Sequence, residues 1–184
     1  IWWCDYNSAF SEERFDALYK RVQRYLEGQQ VYVEDCLVGA DSGFEKPIRV
    51  ISQDAWHSLF ARIMYVRPAD LDRDSSFKDP EFTVIHVPHF HAMPSRDGTN
   101  SEAFVILHLG RRIALIGGTS YAGEIKTSIF TIMNYLLPDE DVLPMHASAN
   151  IGEGGDVALF LGLDGTGKTT LSSDPSRKLI GDDE

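Results

Sequence analysis

Cysteine is scarce in this sequence: its 184 residues include two, Cys4 and Cys36. They form no CxxC pair and cannot build a disulfide scaffold, so a reducing, cytoplasmic setting is the expectation. No apolar run approaches the ~20 residues of a membrane-spanning helix. No signal peptide and no membrane partner are expected. Positive charge is short, since 17 Lys and Arg against 28 Asp and Glu leave a formal net charge of -11. Such a chain repels a nucleic-acid backbone, and no nucleic-acid partner is expected. A phosphate ligand is still permitted, because it needs only a local nest of N–H groups and one or two cations. Internal repeats and low-complexity tracts are absent.

What is present is ordinary for a globular protein, with 43% hydrophobic and 24% charged residues. The length allows one domain and part of a second. The chain opens on Ile1-Trp2-Trp3 without an initiator Met and stops at Gly181-Asp182-Asp183-Glu184. It is expected to be an internal piece, its missing partner being the C-terminal part of the same parent.

Periodicity predicts a first helix with Phe15, Leu18, Val22, Tyr25 and Leu26 on one face, capped by Ser11 and ended by Gly28. Val31–Val33 and Ile48–Ile51 read as strands, Asp54 to Met64 as a helix, and Phe82 to Val87 as a strand. His89 to Ser101 reads as loop. Ala103–Leu107 and Arg112–Ile116 read as a strand pair, and Ile125 to Leu136 as a helix. Pro138 and Pro144 flank Asp139-Glu140-Asp141, which marks the expected domain boundary. Beyond it come a strand at Val157–Leu161, a glycine-rich loop, a helix from about Lys168 and a strand at Lys178–Ile180.

The loop carries the strongest chemical signal. Gly162-Leu163-Asp164-Gly165-Thr166-Gly167-Lys168-Thr169, followed by Thr170, has the spacing of a nucleotide phosphate loop. Its glycines let backbone N–H groups turn inward on phosphates. Lys168 brings a cation to the outer phosphates, and the Thr169 hydroxyl can ligate Mg²⁺. Asp182-Asp183 closes the following strand, where a metal-holding carboxylate belongs. His146 follows Pro144-Met145, just past the boundary. The segment Tyr121-Ala122-Gly123-Glu124-Ile125-Lys126 follows a strand and Gly-Gly, a place suited to ligand-facing side chains or to a plain capping turn. His86, His89 and His91 have metal-like spacing without a fourth ligand, and alternation along a strand and loop is the reading.

Several stretches carry a resemblance: Ala55 to Arg62, Asp97 to Phe104, Ile116 to Thr119, Tyr121 to Glu124, Met133 to Pro138, Met145-His146, Ser148 to Asn150, and Gly155 to Glu184. Together they resemble ATP-dependent phosphoenolpyruvate carboxykinase. The spelling Gly-Thr-Gly-Lys-Thr-Thr is that of the ATP-using branch. A generic phosphate-loop ATPase or kinase is weakened, because the likeness extends far upstream of the loop. The resemblance implies an α/β fold, with residues 1–141 part of an N-terminal domain and residues 142–184 the start of a nucleotide-binding domain. It also implies reversible conversion of oxaloacetate and ATP to phosphoenolpyruvate, ADP and CO₂, as in gluconeogenesis. Mn²⁺ would be held by His146 and Asp183, and Mg²⁺ would travel with ATP on Thr169. Lys168 would hold the outer phosphates, Tyr121 would face the organic substrate, and Lys126 would belong to the catalytic set.

Two positions depart from the family pattern. Thr127 stands where the family places a second lysine that ligates Mn²⁺ as a neutral amine, and a hydroxyl is a shorter and weaker ligand at that metal and substrate position. Asp164 stands where the family has Ser. A carboxylate there faces anions, and like charges ~4 Å apart repel by about 4 kcal/mol at intermediate dielectric. The 184-residue chain alone is expected to be inactive. The alternative is a catalytically impaired relative that binds nucleotide or acts through protein contacts.

Overall fold

The Ser11 hydroxyl accepts the Arg14 N–H and opens helix α1, Glu12–Leu26. Glu12 and Glu13 in its first turn and Arg24 in its last complement the helix dipole. The helix ends at Leu26, two residues ahead of Gly28, which takes φ +74°. The computed structural model describes residues 7–39, 41–71, 77, 79–163 and 165–182. They form an α/β arrangement that divides into two compact units, Ile1–Ile132 and Met133–Glu184, the division falling within helix α4.

The first unit is built on a five-stranded mixed sheet in the order β1-β2-β3-β5-β4. Its strands are β1 (Tyr32–Val38), β2 (Lys46–Ser52), β3 (Phe82–Val87), β4 (Phe104–His108) and β5 (Ile113–Gly117). β2, β3 and β5 run parallel, and the outer pairs β1–β2 and β4–β5 are antiparallel hairpins. Helix α2 (Ala55–Met64) supplies the connection that a parallel β2–β3 step requires. β1 and β2 extend beyond the residues expected to form them, because the β1–β2 ladder runs in register from Tyr32↔Ser52 to Val38↔Lys46.

Phe15, Leu18 and Val22 of α1 bury their shared face against Ile85, Val87, Phe104 and Leu115 of the sheet, together with Phe90 and Ala92. Burial of each large side chain contributes ~1.5–3 kcal/mol, so this seam is the main adhesive of the unit. The connection after β3 is not loop throughout. Pro94–Asp97 makes one helical turn, α3, closed by Gly98 in the left-handed region. The Asp97 carboxylate accepts from the Met93 N–H at 2.7 Å and from the Arg21 guanidinium. Burial pushes Asp97 up, but those donors outweigh it and hold the carboxyl below its usual range.

At the end of β5 two glycines are required by space. A Cβ on Gly117 would meet the Phe104 ring at 2.3 Å, and one on Gly118 would meet the Glu102 carbonyl at 2.6 Å. The chain then turns through residues 119–122 into α4 (Gly123–Leu136), which buries Ile125, Ile129 and Ile132.

The second unit is a three-stranded antiparallel sheet ordered β7-β6-β8: β6 (Ala147–Ile151), β7 (Val157–Leu161) and β8 (Lys178–Asp182). β6 is a strand that the sequence patterning did not mark. Its central residues Ser148 and Asn150 are polar yet fully buried, so no apolar alternation betrays it. The short helix α5 (Lys168–Ser172) packs against this sheet.

Candidate functional site

Register brings three chain segments to one end of the small sheet. Ala147 pairs with Leu161, so the start of β6 lies beside the end of β7, where the phosphate loop leaves at Gly162. Ser148 pairs with Asp182, so the same end of β6 also lies beside the end of β8. His146 stands immediately before β6, half-buried. The imidazole, the loop and the acidic strand terminus therefore emerge together, although they are far apart in sequence. Asp183 and Asp164 lie outside the described residues.

The loop's own geometry follows from its glycines. Gly165 and Gly167 have φ +74° and +92°, which other residues adopt only under strain. A Cβ on Gly162 would meet the Thr166 hydroxyl at 2.5 Å. That hydroxyl donates to the Leu163 carbonyl at 2.7 Å and tightens the turn. Lys168 is 8% exposed, and its Nζ donates to the carbonyls of Gly162 and Leu163, each at 3.0 Å. Its cation is thus folded into the concave side of the loop. Thr169 and Thr170 follow on α5 and are exposed, as is Leu163.

Two residues that sequence reasoning did not single out brace this loop. The buried Asn150 side chain donates to the Ser172 carbonyl at 3.0 Å and so ties α5 to β6. Arg177 donates from Nε to Asn150 Oδ1 at 2.7 Å and from both terminal nitrogens to Asp156. That hydrogen bond holds the Asp156 carboxyl below its usual range. Asn150 and Arg177 both lie in stretches that carry the family resemblance, but nothing in the local pattern of Arg177 distinguishes it from a surface arginine.

Tyr121, Lys126 and Thr127 belong to the first unit. Tyr121 is 68% exposed, and a Cβ on Gly123 would strike its ring at 2.4 Å, so the glycine is what allows the ring to lie over the start of α4. Lys126 is half-buried. Thr127 is exposed, and its hydroxyl donates to the Gly123 carbonyl one helical turn back, at 3.0 Å.

Two buried histidines reach the turn ahead of Tyr121. His57 Nε2 meets the Ser120 carbonyl at 3.0 Å, and His86 Nε2 meets the Thr119 carbonyl at 2.8 Å. Burial pushes His86 down to about 4, against the opposing hydrogen bond to Thr119. His89 and His91 do not join it. They are exposed and face Asp54 at 3.0 Å and Glu102 at 3.6 Å. Among the described residues, no group of three or more His, Cys, Asp or Glu is placed to hold a metal. Cys36 is buried and its thiol is pushed up to about 12, mainly by burial, which leaves it unreactive. No helix of the described residues is long and apolar enough to cross a membrane.

Comparison with known proteins gives a consistent likeness. The family model described as phosphoenolpyruvate carboxykinase matches residues 1–184. A phosphoenolpyruvate carboxykinase (ATP) of Thermus thermophilus is 55% identical over 186 residues, covering 100% of this chain and 35% of the relative. One from Geobacter metallireducens is 57% identical over 185 residues, covering 100% of this chain and 34% of the relative. One from Pelobacter propionicus is 56% identical, covering 99% and 34%. The chain thus spans about a third of the length of the curated relatives it matches.

Proposed function

The chain belongs to the phosphoenolpyruvate carboxykinase family, and on that premise we propose that it supplies the phosphate loop and substrate-facing turn of an enzyme converting oxaloacetate and ATP to phosphoenolpyruvate, ADP and CO₂. The carrying observation is the convergence of His146, the loop at Gly162 and the Asp182 terminus on one end of the β7-β6-β8 sheet. Phosphoryl transfer needs a cation, inward N–H groups and a metal-holding acid within one site, and the reading is supported by the register that sets Lys168's loop, His146 and Asp182 at the same sheet end.

In the proposed cycle Lys168 exchanges the Gly162 and Leu163 carbonyls for the outer phosphates of ATP. The exchange is favourable because hydrogen bonds with a charged partner on each side exceed those to neutral carbonyls. The amides of Gly165, Gly167 and Lys168 would receive the phosphate charge, and the Thr169 hydroxyl would ligate the Mg²⁺ carried by the nucleotide. Tyr121 and Lys126 orient the keto-acid; its carboxylate leaves as CO₂, the C–C electron pair becomes an enolate, and the enolate oxygen then takes the γ-phosphoryl group as ADP leaves.

Mn²⁺ fits this site in kind: an imidazole and a carboxylate form an N/O donor set suited to a divalent cation. His146 and Asp183 would hold it. When bound, Mn²⁺ supplies Lewis-acid stabilisation of the negative charge left on the substrate oxygen.

A second reading, an impaired relative that binds nucleotide, is favoured by Thr127, whose hydroxyl proton is already committed to Gly123. The two readings separate by assay. With the sequence placed in a protein of its relatives' length, the enzyme reading expects phosphoenolpyruvate from oxaloacetate and ATP with Mn²⁺ and Mg²⁺. ATP binding without product supports the impaired reading.

A further inference from the structure

His57 and His86 are both 0% exposed, and their rings meet edge to face with centroids 4.1 Å apart. They come from different elements, α2 and β3, yet both Nε2 atoms end on consecutive carbonyls, Ser120 and Thr119. A carbonyl only accepts, so each Nε2 carries the proton. Both Nδ1 atoms are buried without a hydrogen-bond partner, with Asp54 Oδ2 at 3.8 Å from that of His57. Retaining a bare acceptor in the interior costs free energy, and an apolar side chain would fill the same space without that cost. What the imidazoles add is a pair of donors aimed at one turn.

That turn has no regular structure of its own to fix it. It follows Gly118 at φ +67° and precedes α4. The Tyr121 N–H rests on the Thr119 hydroxyl at 3.2 Å, so the position of Thr119 passes directly to Tyr121. We infer that His57 and His86 are positioning residues: a buried two-imidazole clamp holds the Thr119-Ser120 backbone and thereby sets the pose of the Tyr121 side chain toward the organic substrate. The substrate half of this inference rests on the proposed carboxykinase reading, whereas the clamp itself does not.

The test uses the full chain and its parent-length form, with His86→Leu, His86→Gln and His57→Leu. Gln can place an amide N–H near the Nε2 position, and Leu cannot. In His86→Leu, amide hydrogen exchange at Gly118, Tyr121 and Glu124 should quicken at least tenfold while α1 and β1 stay unchanged. His86→Gln should restore most of the protection. His57→Leu, which removes the Ser120 hydrogen bond and keeps the Thr119 one, should quicken the same segment and serves if His86→Leu does not fold. Exchange that is unchanged there, or raised equally through the whole sheet, overturns the clamp. In the parent-length protein His86→Leu should raise KM for oxaloacetate severalfold with ATP affinity unchanged, and His86→Gln should reverse the rise. An unaltered KM beside a loosened turn overturns the link to Tyr121. A parent-length protein with no activity at all counts against the carboxykinase reading, and the exchange result still decides the clamp.

Discussion

Ser148 stands opposite Asp182 in the β6–β8 ladder and donates its hydroxyl to the Asp182 carboxylate. Ser148 is fully buried, so this bond pins the end of β8 to the strand that His146 immediately precedes. A buried serine in a three-stranded sheet would otherwise be a weak choice, since an apolar residue fills the space more favourably.

If His146 and Asp183 hold Mn²⁺ as proposed, Ser148→Ala should weaken that binding without unfolding the sheet. Residues that orient metal ligands commonly alter affinity by 10–100-fold. Mn²⁺ titration of the parent-length protein, followed by the spectrum of the free ion, should show a loss in that range. Unchanged Mn²⁺ affinity would mean that the bond serves the sheet alone.

Lys168→Ala should remove ATP binding. The ammonium now satisfies two loop carbonyls, and each charge-assisted bond to phosphate is worth roughly 1.5–3 kcal/mol. Calorimetric titration with Mg-ATP should give no detectable heat for the variant, and equal affinity would count against the role.

Gly118→Ala and Gly28→Ala should separate backbone strain from crowding. Both glycines have positive φ, +67° and +74°. A Cβ on Gly28 meets nothing within 4 Å, whereas one on Gly118 meets Glu102 O at 2.6 Å and Ala103 Cα at 2.9 Å. The Gly28 change should cost about 1 kcal/mol and the Gly118 change at least twice that. Urea denaturation of both variants checks the order, and equal costs would contradict it.

Much of this was legible in the sequence, for identifiable reasons. α1 declared itself through Phe15, Leu18 and Val22 at helical spacing behind a Ser cap. The phosphate loop declared itself because its glycines are spaced by geometry rather than by burial. β6 was hidden because Ser148 and Asn150 are buried by hydrogen bonding, which leaves no apolar alternation. The histidine pair was hidden because His57 and His86 lie on separate elements and meet only through the parallel β2–β3 pairing. The spacing of His86, His89 and His91 pointed along the chain, whereas the partner of His86 lies across it. Arg177 reads as an ordinary surface arginine until β6 places Asn150 beside it.

The His86 ring should make folding sensitive to mild acid. The folded chain keeps it neutral down to about pH 4, chiefly through burial, while an unfolded chain protonates near pH 6.5. Between those values the unfolded state binds more protons. The stability contributed is complete above about pH 6.5, declines as pH falls, and is gone near pH 4. The span corresponds to about 3 kcal/mol. His57 and Asp54 also act on this ring, so the comparison is with His86→Gln, which shares those neighbours and lacks the titration. The difference in denaturation midpoint between parent and variant should shift through that window, and a constant difference would contradict it.

The central claim, that this chain serves ATP-dependent carboxykinase chemistry, is tested most directly by following the γ-phosphoryl group of labelled ATP. The protein should be of its relatives' length and carry this sequence, with oxaloacetate, Mn²⁺ and Mg²⁺ supplied. Thr127→Lys with Asp164→Ser should transfer label into phosphoenolpyruvate, with one CO₂ released per transfer, orders of magnitude faster than the unaltered protein. Each single change should recover less, because groups acting as one unit are not additive. Adding Lys168→Ala to the double variant should abolish transfer. A folded, ATP-binding double variant that forms no labelled phosphoenolpyruvate, or one whose transfer survives Lys168→Ala, would contradict the account.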